Sequence, residues 1–188
     1  MIVRHGSRWL GVLGLADQPR PESRDVLVRL REMGLRPLVM LTGDNRGVAE
    51  AVGKALGVDQ IKADLLPEDK VSAIQSLMQA HGPVAMVGDG VNDAPALAQA
   101  TVGIAMGGAG TGVALETADV ALMGDDLRTL PFAVGLSRQA ARIIKQNLAI
   151  SMAVIALLVV ATLLGWAGIG TAVLLHEGST MVVVANSL

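Results

Sequence analysis

The sequence contains no cysteine, so neither a disulfide bond nor a thiolate metal site can form within its 188 residues. It also has no marked excess of either charge. Fifteen basic residues are nearly balanced by seventeen acidic ones, and the formal net charge of −2 gives no electrostatic reason to expect nucleic acid as a partner. The first residues are followed by neither a long apolar core nor a cleavage pattern, so no signal peptide is predicted.

A further absence concerns residues 148–175, which include no Asp, Glu, Lys, Arg or His. This stretch exceeds the about 20 largely apolar residues that one transmembrane helix needs. Three basic residues precede it: Arg138, Arg142 and Lys145. Basic residues beside a membrane span mark its cytoplasmic side, so we predict a cytoplasmic domain over 1–146 and a membrane part over 147–188.

The membrane part contains the glycine-rich segment Gly-Trp-Ala-Gly-Ile-Gly at 165–170. This segment predicts a short turn between a first span at 148–164 and a second span from residue 171 onward. The second span then covers only about 27 Å, and we expect it to be truncated. The alternative is one tilted helix of about 42 Å over 148–175, which would carry glycines near its middle.

The residues before the membrane part alternate between short apolar runs and stretches of helical periodicity. The predicted strands lie around residues 9–15, 38–41, 61, 84–87, 102–105 and 119–122. The predicted helices lie at 21–33, at 47–56 and from residue 67 onward, with apolar positions at 71, 74 and 77 or 78. Alternation with short connections implies parallel strands joined by right-handed crossovers, and therefore a doubly wound α/β sheet.

Residues 88–93, Gly-Asp-Gly-Val-Asn-Asp, directly follow the apolar run at 84–87. They place carboxylates at the carboxyl end of a strand, where open α/β sheets bind their ligands. Asp89 and Asp93 offer hard oxygen ligands, and a pair of carboxylates is one way in which proteins hold Mg²⁺ beside a phosphate. The alternative is a strand-to-turn junction in which these residues only supply turn geometry.

Two further groups suit phosphate chemistry. Thr42 follows the strand at 38–41 and precedes Gly43, so its hydroxyl and the nearby N–H groups suit a phosphoryl oxygen, although Thr42 could equally cap the next helix. Lys70 lies in the first turn of a predicted helix, where the helix dipole favours anions over cations. Its ammonium is therefore predicted to meet phosphate or Asp89; the alternative is an ordinary solvated lysine.

Three segments carry a family resemblance: Thr-Gly-Asp at 42–44, Pro-Glu-Asp-Lys at 67–70 and the ten residues at 88–97. In this order and spacing they closely resemble the phosphorylation domain of P-type ATPases, which belongs to the haloacid dehalogenase superfamily. The resemblance continues through 102–107 and 116–123 into the hydrophobic C-terminal part. It implies a haloacid dehalogenase-like sheet followed by a transmembrane helical hairpin, and the use of ATP and Mg²⁺.

The same resemblance implies roles for individual residues. Asp89 is expected to coordinate Mg²⁺ with Asp93 in support, and Lys70 is expected to neutralise the phosphoryl group. The residues implied to contact the phosphoryl group or the nucleotide are Thr42, Gly43, Asp44, Lys70 and Asn92. Such a set works by positioning and charge stabilisation rather than by covalent chemistry of its own.

The Asp that becomes phosphorylated in this family lies in the string Asp-Lys-Thr-Gly-Thr, which does not occur in the sequence. Residues 125–129 are the nearest mimic, but they lack the Gly and the neighbouring Lys. The chain thus resembles a C-terminal pump fragment that is inactive by itself and lacks the nucleotide-binding insertion. One alternative is a membrane-anchored phosphatase of the same superfamily, for which only Asp17 lies near the N-terminus; another is a non-catalytic fragment that associates with a partner pump chain.

Residues 176–180, His-Glu-Gly-Ser-Thr, lie inside the predicted second span, with His176 about 9 Å past Gly170. Ionisable residues inside a span are functional candidates, and imidazole nitrogen with carboxylate and hydroxyl oxygens suits a divalent transition metal. The string resembles the motif in the last span of the cobalt-type subgroup of heavy-metal P-type ATPases, whose Ser-Pro-Cys helix is missing here. The resemblance implies that His176, Glu177 and Thr180 bind the exported cation.

These resemblances together predict the C-terminal portion of an ATP-driven efflux pump for cobalt-, zinc-, cadmium- or nickel-like ions. The expected location is the plasma (inner) membrane, which the protein would cross more than once. The expected partners are the lipid bilayer, the remainder of the pump and a divalent metal ion.

Overall fold

A computed structural model describes residues 2–12, 18–88, 92–107, 117–124 and 126–187. The chain divides into two compact units, Met1–Pro131 and Phe132–Leu188, each of which is described by itself. The predicted limit between residues 146 and 147 marks a change in charge rather than in compactness, and it stays a prediction.

The first unit begins with an antiparallel hairpin of β1 (Ile2–His5) and β2 (Arg8–Val12). Gly6 between them has a φ of 58°, a conformation that suits a tight hairpin turn. The expectation of a parallel strand at 9–15 is therefore wrong in direction, because a short turn returns the chain beside an unpredicted strand. Residues 13–15 of that predicted strand lie outside the described residues.

The other described strands are parallel, which confirms the α/β class. β3 (Val39–Leu41) pairs with β4 (Gln60–Lys62), and Val39 is opposite Gln60. β5 (Ala85–Gly88), β6 (Val102–Met106) and β7 (Val120–Leu122) form a three-stranded sheet in that order. Within the described residues these are two separate sheets, because β3 and β5 do not hydrogen-bond to each other.

Four helices connect these strands: α1 (Ser23–Glu32), α2 (Arg46–Leu56), α3 (Pro67–His81) and α4 (Ala94–Gln99). α2 begins where the Asn45 side chain accepts the Val48 N–H at 3.1 Å, and it ends at Gly57 in the left-handed conformation. α3 begins with a proline, and the Asp69 carboxylate accepts the Leu66 N–H at 3.0 Å. The first three helices confirm the predicted ones, whereas α4 was not predicted.

The core of this unit lies between α3, α4 and β5. Ile74, Met86, Ala96 and Leu97 form a buried cluster, and Leu41 of β3 packs against it. Leu97 is 0 % exposed, and a Cβ added at Gly103 of β6 would lie 2.7 Å from the Leu97 carbonyl oxygen. The glycine thus lets α4 contact β6 directly, which fixes α4 against this sheet.

The C-terminal part contains α5 (Thr129–Leu163) and α6 (Ile169–Ser187). The break between them includes Gly165, which has a φ of 71°, so the alternative of one helix over 148–175 is wrong. Within the described residues, only α5 is long and apolar enough to cross a membrane, and its most apolar stretch has a mean hydropathy of 2.1. Only 6 % of its apolar window is buried, which distinguishes α5 from the core helix of a soluble domain.

Candidate functional site

The turn after β3 is held by hydrogen bonds from the Thr42 side chain. Its hydroxyl accepts the Asp44 N–H at 3.1 Å and donates to the Asp44 carboxylate at 3.0 Å. The alternative that Thr42 caps α2 is wrong, because Asn45 performs that role. The Thr42 hydroxyl is therefore oriented by the turn itself, at the carboxyl end of a parallel strand.

Gly43 fits closely against the segment that leads into α3. A Cβ at Gly43 would lie 3.2 Å from the Leu65 carbonyl oxygen, and the Leu65 N–H donates to the Thr42 carbonyl at 3.1 Å. The Asp64 N–H donates to the Asp44 carbonyl at 2.9 Å. The turn after β3 and the turn after β4 are thus joined, immediately before the helix that carries Lys70.

Lys70 forms an ion pair with Asp93. The Lys70 Nζ donates to Asp93 Oδ1 at 2.6 Å, and each side chain is only 16 % exposed. The alternative of a solvated lysine is therefore wrong. The sequence did not predict this partner, which is the carboxylate just before α4. Because both groups are charged and largely shielded from water, this hydrogen bond is a strong one. A contact of Lys70 with phosphate or with Asp89, which lies outside the described residues, stays a prediction.

Gly88, the last residue of β5, makes room for this pair. A Cβ at Gly88 would lie 2.7 Å from Asp93 Oδ2, so a larger residue would displace the carboxylate. One oxygen of Asp93 accepts from Lys70 while the other lies against the backbone that leads into Asp89. Asp89 itself lies outside the described residues, and Asn92 is exposed.

These contacts bring the predicted residues into two groups. Thr42, Gly43 and Asp44 form the turn after β3, and Lys70 and Asp93 form the pair after β5. The first turn of α3 follows the segment that contacts Gly43, and it contains Lys70. The pairing of Lys70 with Asp93 was missed because it joins residues 23 positions apart, which no local pattern reveals.

Asp126, in the segment that mimics a phosphorylation motif, is committed to a structural contact. Its carboxylate accepts the Arg128 Nε–H at 2.9 Å and Nη2–H at 2.8 Å. The Arg128 side chain is also the main cause that lowers the pKa of Asp126. Asp125 lies outside the described residues. The contact supports the view that this segment leads into α5 rather than serving as a site of phosphorylation.

The predicted cation ligands lie on α6. The hydroxyls of Ser179 and Thr180 donate to the His176 carbonyl at 2.6 and 3.4 Å. Glu177 and Thr180 line an open groove along the helix, together with Gly178, Met181, Val184 and Ala185, whereas His176 is not part of its lining. Within the described residues no three acidic or histidine side chains are close enough to hold a metal ion. The helix thus brings together two of the three predicted ligands.

The whole chain is similar in sequence to known proteins. Residues 2–101 match the haloacid dehalogenase-like hydrolase family. The whole chain is 53 % identical to a probable cadmium-transporting ATPase of Staphylococcus aureus, of which it covers 23 %. It is 46 % identical to the probable cation-transporting ATPase G of Mycobacterium tuberculosis, of which it covers 24 %. The chain therefore spans about a quarter of the length of these relatives.

Solved structures also match the fold of the chain. A zinc-transporting PIB-type ATPase in the E2.Pi state matches 92 % of the chain with a TM-score of 0.86 and 46 % sequence identity, and 28 % of that structure is covered. The catalytic CPx-ATPase domain CopB-B matches 62 % of the chain with a TM-score of 0.55 and 40 % identity, and 46 % of that domain is covered.

Proposed function

The chain belongs to the haloacid dehalogenase-like hydrolases, and within them to the metal-transporting P-type ATPases; from this premise we propose that it is the C-terminal portion of an ATP-driven efflux pump for divalent transition metals. The single observation that carries the proposal is the shielded Lys70–Asp93 pair at the carboxyl end of β5. It belongs to a chain that continues into an exposed apolar helix of membrane-spanning length.

In this proposal the two strand ends bind the phosphoryl group and Mg²⁺. Thr42, Gly43 and Lys70 contact the phosphoryl oxygens, while Asp89 and Asp93 hold Mg²⁺. The fit is supported by Asp93, because Lys70 orients one of its oxygens and leaves the other at the end of β5. Carboxylates are the hard ligands that Mg²⁺ prefers, and the bound ion supplies charge neutralisation. Asp44 and Asn92 complete the set of nucleotide and phosphoryl contacts.

The phosphorylated Asp must come from the remainder of the pump, because the required string is absent from this sequence. The described strands β3 and β5 each have one edge that pairs with no other described strand. Leu41 of β3 packs against the buried cluster that contains Met86 of β5, so both strands contribute to one core. We propose that a parallel strand from the missing part pairs with both edges and carries the nucleophile between Thr42 and Lys70.

The cation ligands are proposed to lie midway through the membrane. Asn147, which directly precedes the charge-free stretch, donates to the Ser187 hydroxyl at 2.7 Å. His176 lies about three helical turns before Ser187, or about 16 Å, which is half of a hydrocarbon core of about 30 Å. His176, Glu177 and Thr180 offer one nitrogen and two oxygen ligands, a set that favours a divalent transition metal, and the sequence motif favours a cobalt-type ion among them.

The test combines this chain with a second polypeptide that supplies the upstream part of such a pump. We expect metal-stimulated ATP hydrolysis and a phosphorylated upstream Asp only when both are present. Neither ATP nor aryl phosphates should be hydrolysed by the chain alone, because no nucleophile is available. The matched control is the same mixture with Asp89→Asn. Phosphate release by the isolated chain above the level of an Asp89→Ala variant would contradict the proposal.

A further inference from the structure

Four polar side chains join the end of α6 to the middle of α5. Asn147 Nδ2 donates to Ser187 Oγ at 2.7 Å, and Asn186 Nδ2 donates to Asn147 Oδ1 at 2.8 Å. Asn186 Nδ2 also approaches Gln146 Oε1 at 3.4 Å. The Asn147 amide thus uses both its donor and its acceptor on α6. We call the group Gln146, Asn147, Asn186 and Ser187 the amide latch.

The latch differs in kind from the other less exposed residues of these helices. The least exposed residues of α5 beyond Asn147 fall on one stripe: Ile150, Ser151, Val154, Leu158 and Ala161. On α6 they are small or β-branched: Ala172, Ser179 and Val183. Apolar contact is not directional, so such stripes allow a helix to slide or rotate. Hydrogen bonds between amides oppose such movement, because they require defined distances and angles.

We propose that the amide latch is a positioning device that fixes the depth and rotation of α6, and thereby holds Glu177 and Thr180 where a cation can be bound. This inference rests on the proposed function. A shift of α6 by one residue moves every side chain by 1.5 Å along the axis and by about 100° around it. The groove is lined by residues of α6 alone, so such a shift would move it, together with Glu177 and Thr180, relative to α5. The latch residues do not line this groove.

The opposing explanation is that the four polar side chains are merely solvated at the membrane surface. The two explanations predict different effects for a double substitution. If Asn147 and Ser187 act through one shared contact, the double substitution should be no worse than either single one. If each is only solvated, both single effects should be small and should add.

The first measurement uses the complete chain in lipid vesicles. The absence of cysteine allows spin labels to be attached at Met152→Cys and Met181→Cys without further changes. These positions are 59 % and 78 % exposed. We expect a narrow distribution of label distances that becomes broad with Asn147→Ala. Gln139→Ala, an exposed amide of α5 outside the latch, should leave the distribution narrow.

The second measurement uses the intact pump that contains this segment. Asn147→Ala and Ser187→Ala should each raise the metal concentration for half-maximal ATP hydrolysis by about threefold to tenfold, because hydrogen bonds between membrane helices contribute modestly. The maximal rate should change less, and Asn147→Gln, which retains the amide, should restore part of the affinity. The double variant Asn147→Ala/Ser187→Ala should match the single ones.

The outcomes separate the inference from the function on which it rests. Narrow distances and unchanged metal dependence in all latch variants would overturn the latch, provided that His176→Ala still abolishes stimulation. Additive small effects would overturn it as well. If His176→Ala leaves metal stimulation intact, the proposed cation site is wrong, whereas a broadened distance distribution would still support a latch between the helices.

Discussion

The two units of the chain hold their proposed functional side chains by different means. In Met1–Pro131, Lys70 and Asp93 are 16 % exposed and are fixed by α3, α4 and β5 together. In Phe132–Leu188, Glu177 and Thr180 lie on a single exposed helix, and their nearest fixed reference is the amide latch. The Lys70–Asp93 pair thus has a preformed scaffold, whereas Glu177 and Thr180 lie on one exposed helix. Substitutions in the scaffold of the Lys70–Asp93 pair should therefore affect folding, and those on α6 should affect the proposed cation binding.

The largest effect is expected at the cation ligands, in an intact pump with this C-terminus. His176→Ala and Glu177→Ala should abolish cobalt- or zinc-stimulated ATP hydrolysis, because a cation drives the cycle only through its different affinity for the states of the pump. Ser179→Ala is the matched control and should be milder. Its hydroxyl is bonded to the His176 carbonyl, and water can replace a weak hydroxyl ligand.

Normal metal-stimulated turnover in both alanine variants would mean that residues 176–180 serve helix packing. The second unit would then have no proposed functional side chains to compare with the Lys70–Asp93 pair of the first. The measurement is steady-state ATP hydrolysis against metal concentration, with binding of metal to the purified pump as a second readout.

The next effect concerns the scaffold of the Lys70–Asp93 pair. Gly103→Ala should destabilise the first unit by about 1–3 kcal/mol, because the added methyl group would meet the Leu97 backbone and cannot be accommodated by a side-chain rotation. Gly124→Ala is the control, since its Cβ would have no neighbour closer than 4.0 Å. Chemical denaturation of the complete chain provides the comparison. Equal stability of the two variants would mean that α4 is not held tightly against β6.

Local sequence patterns predicted most elements of the first unit but not their partners. The strands at β3 and β5 and the helix α3 were predicted because short apolar runs and helical periodicity are local signals. α4 was missed because a helix of six residues is too short to show a period. The hairpin was missed because a turn at Gly6 was not weighed against a longer parallel connection.

In the candidate site, too, local patterns predicted the residues but not their partners. Residue types at strand ends predicted which groups gather at the carboxyl ends of β3 and β5. They did not predict that Lys70 would bond to Asp93, because that depends on how α3 and α4 pack around Ile74 and Leu97. On α6 the residue pattern predicted the candidate ligands, but only the helix geometry separates His176 from the groove of Glu177 and Thr180.

A moderate effect is expected for Mg²⁺ binding to the complete chain. The affinity should be weak, because two carboxylates with water form an incomplete site until phosphate joins them. Asp89→Asn should weaken it by about tenfold or more. Asp44→Asn should have less effect, because the Asp44 carboxylate is engaged by the Thr42 hydroxyl at the other strand end. Equal effects in a calorimetric titration would mean that the ion binds at a different place from the Lys70–Asp93 pair.

The smallest effect tests how far the scaffold of the first unit depends on charge. Asp59 accepts the Leu38 N–H at 2.7 Å and pairs with Arg31 at 2.8 Å. The Leu38 hydrogen bond, followed by Arg31, lowers the pKa of Asp59 below the usual value of an aspartate carboxyl. A lowered pKa in the folded state means that the stabilisation is complete above the unfolded pKa and is lost as the pH falls through the folded one. Asp59→Asn should therefore reduce stability at pH 6, and its effect should shrink as the pH falls below the usual range of an aspartate carboxyl. Arg31→Gln should remove less of this pH dependence, because the larger contribution from Leu38 remains.

The measurement is the denaturation midpoint of the unchanged chain and of the two variants between pH 6 and pH 2. If the loss of stability caused by Asp59→Asn grew on acidification, this carboxylate would not be a charged link between α1, β3 and β4.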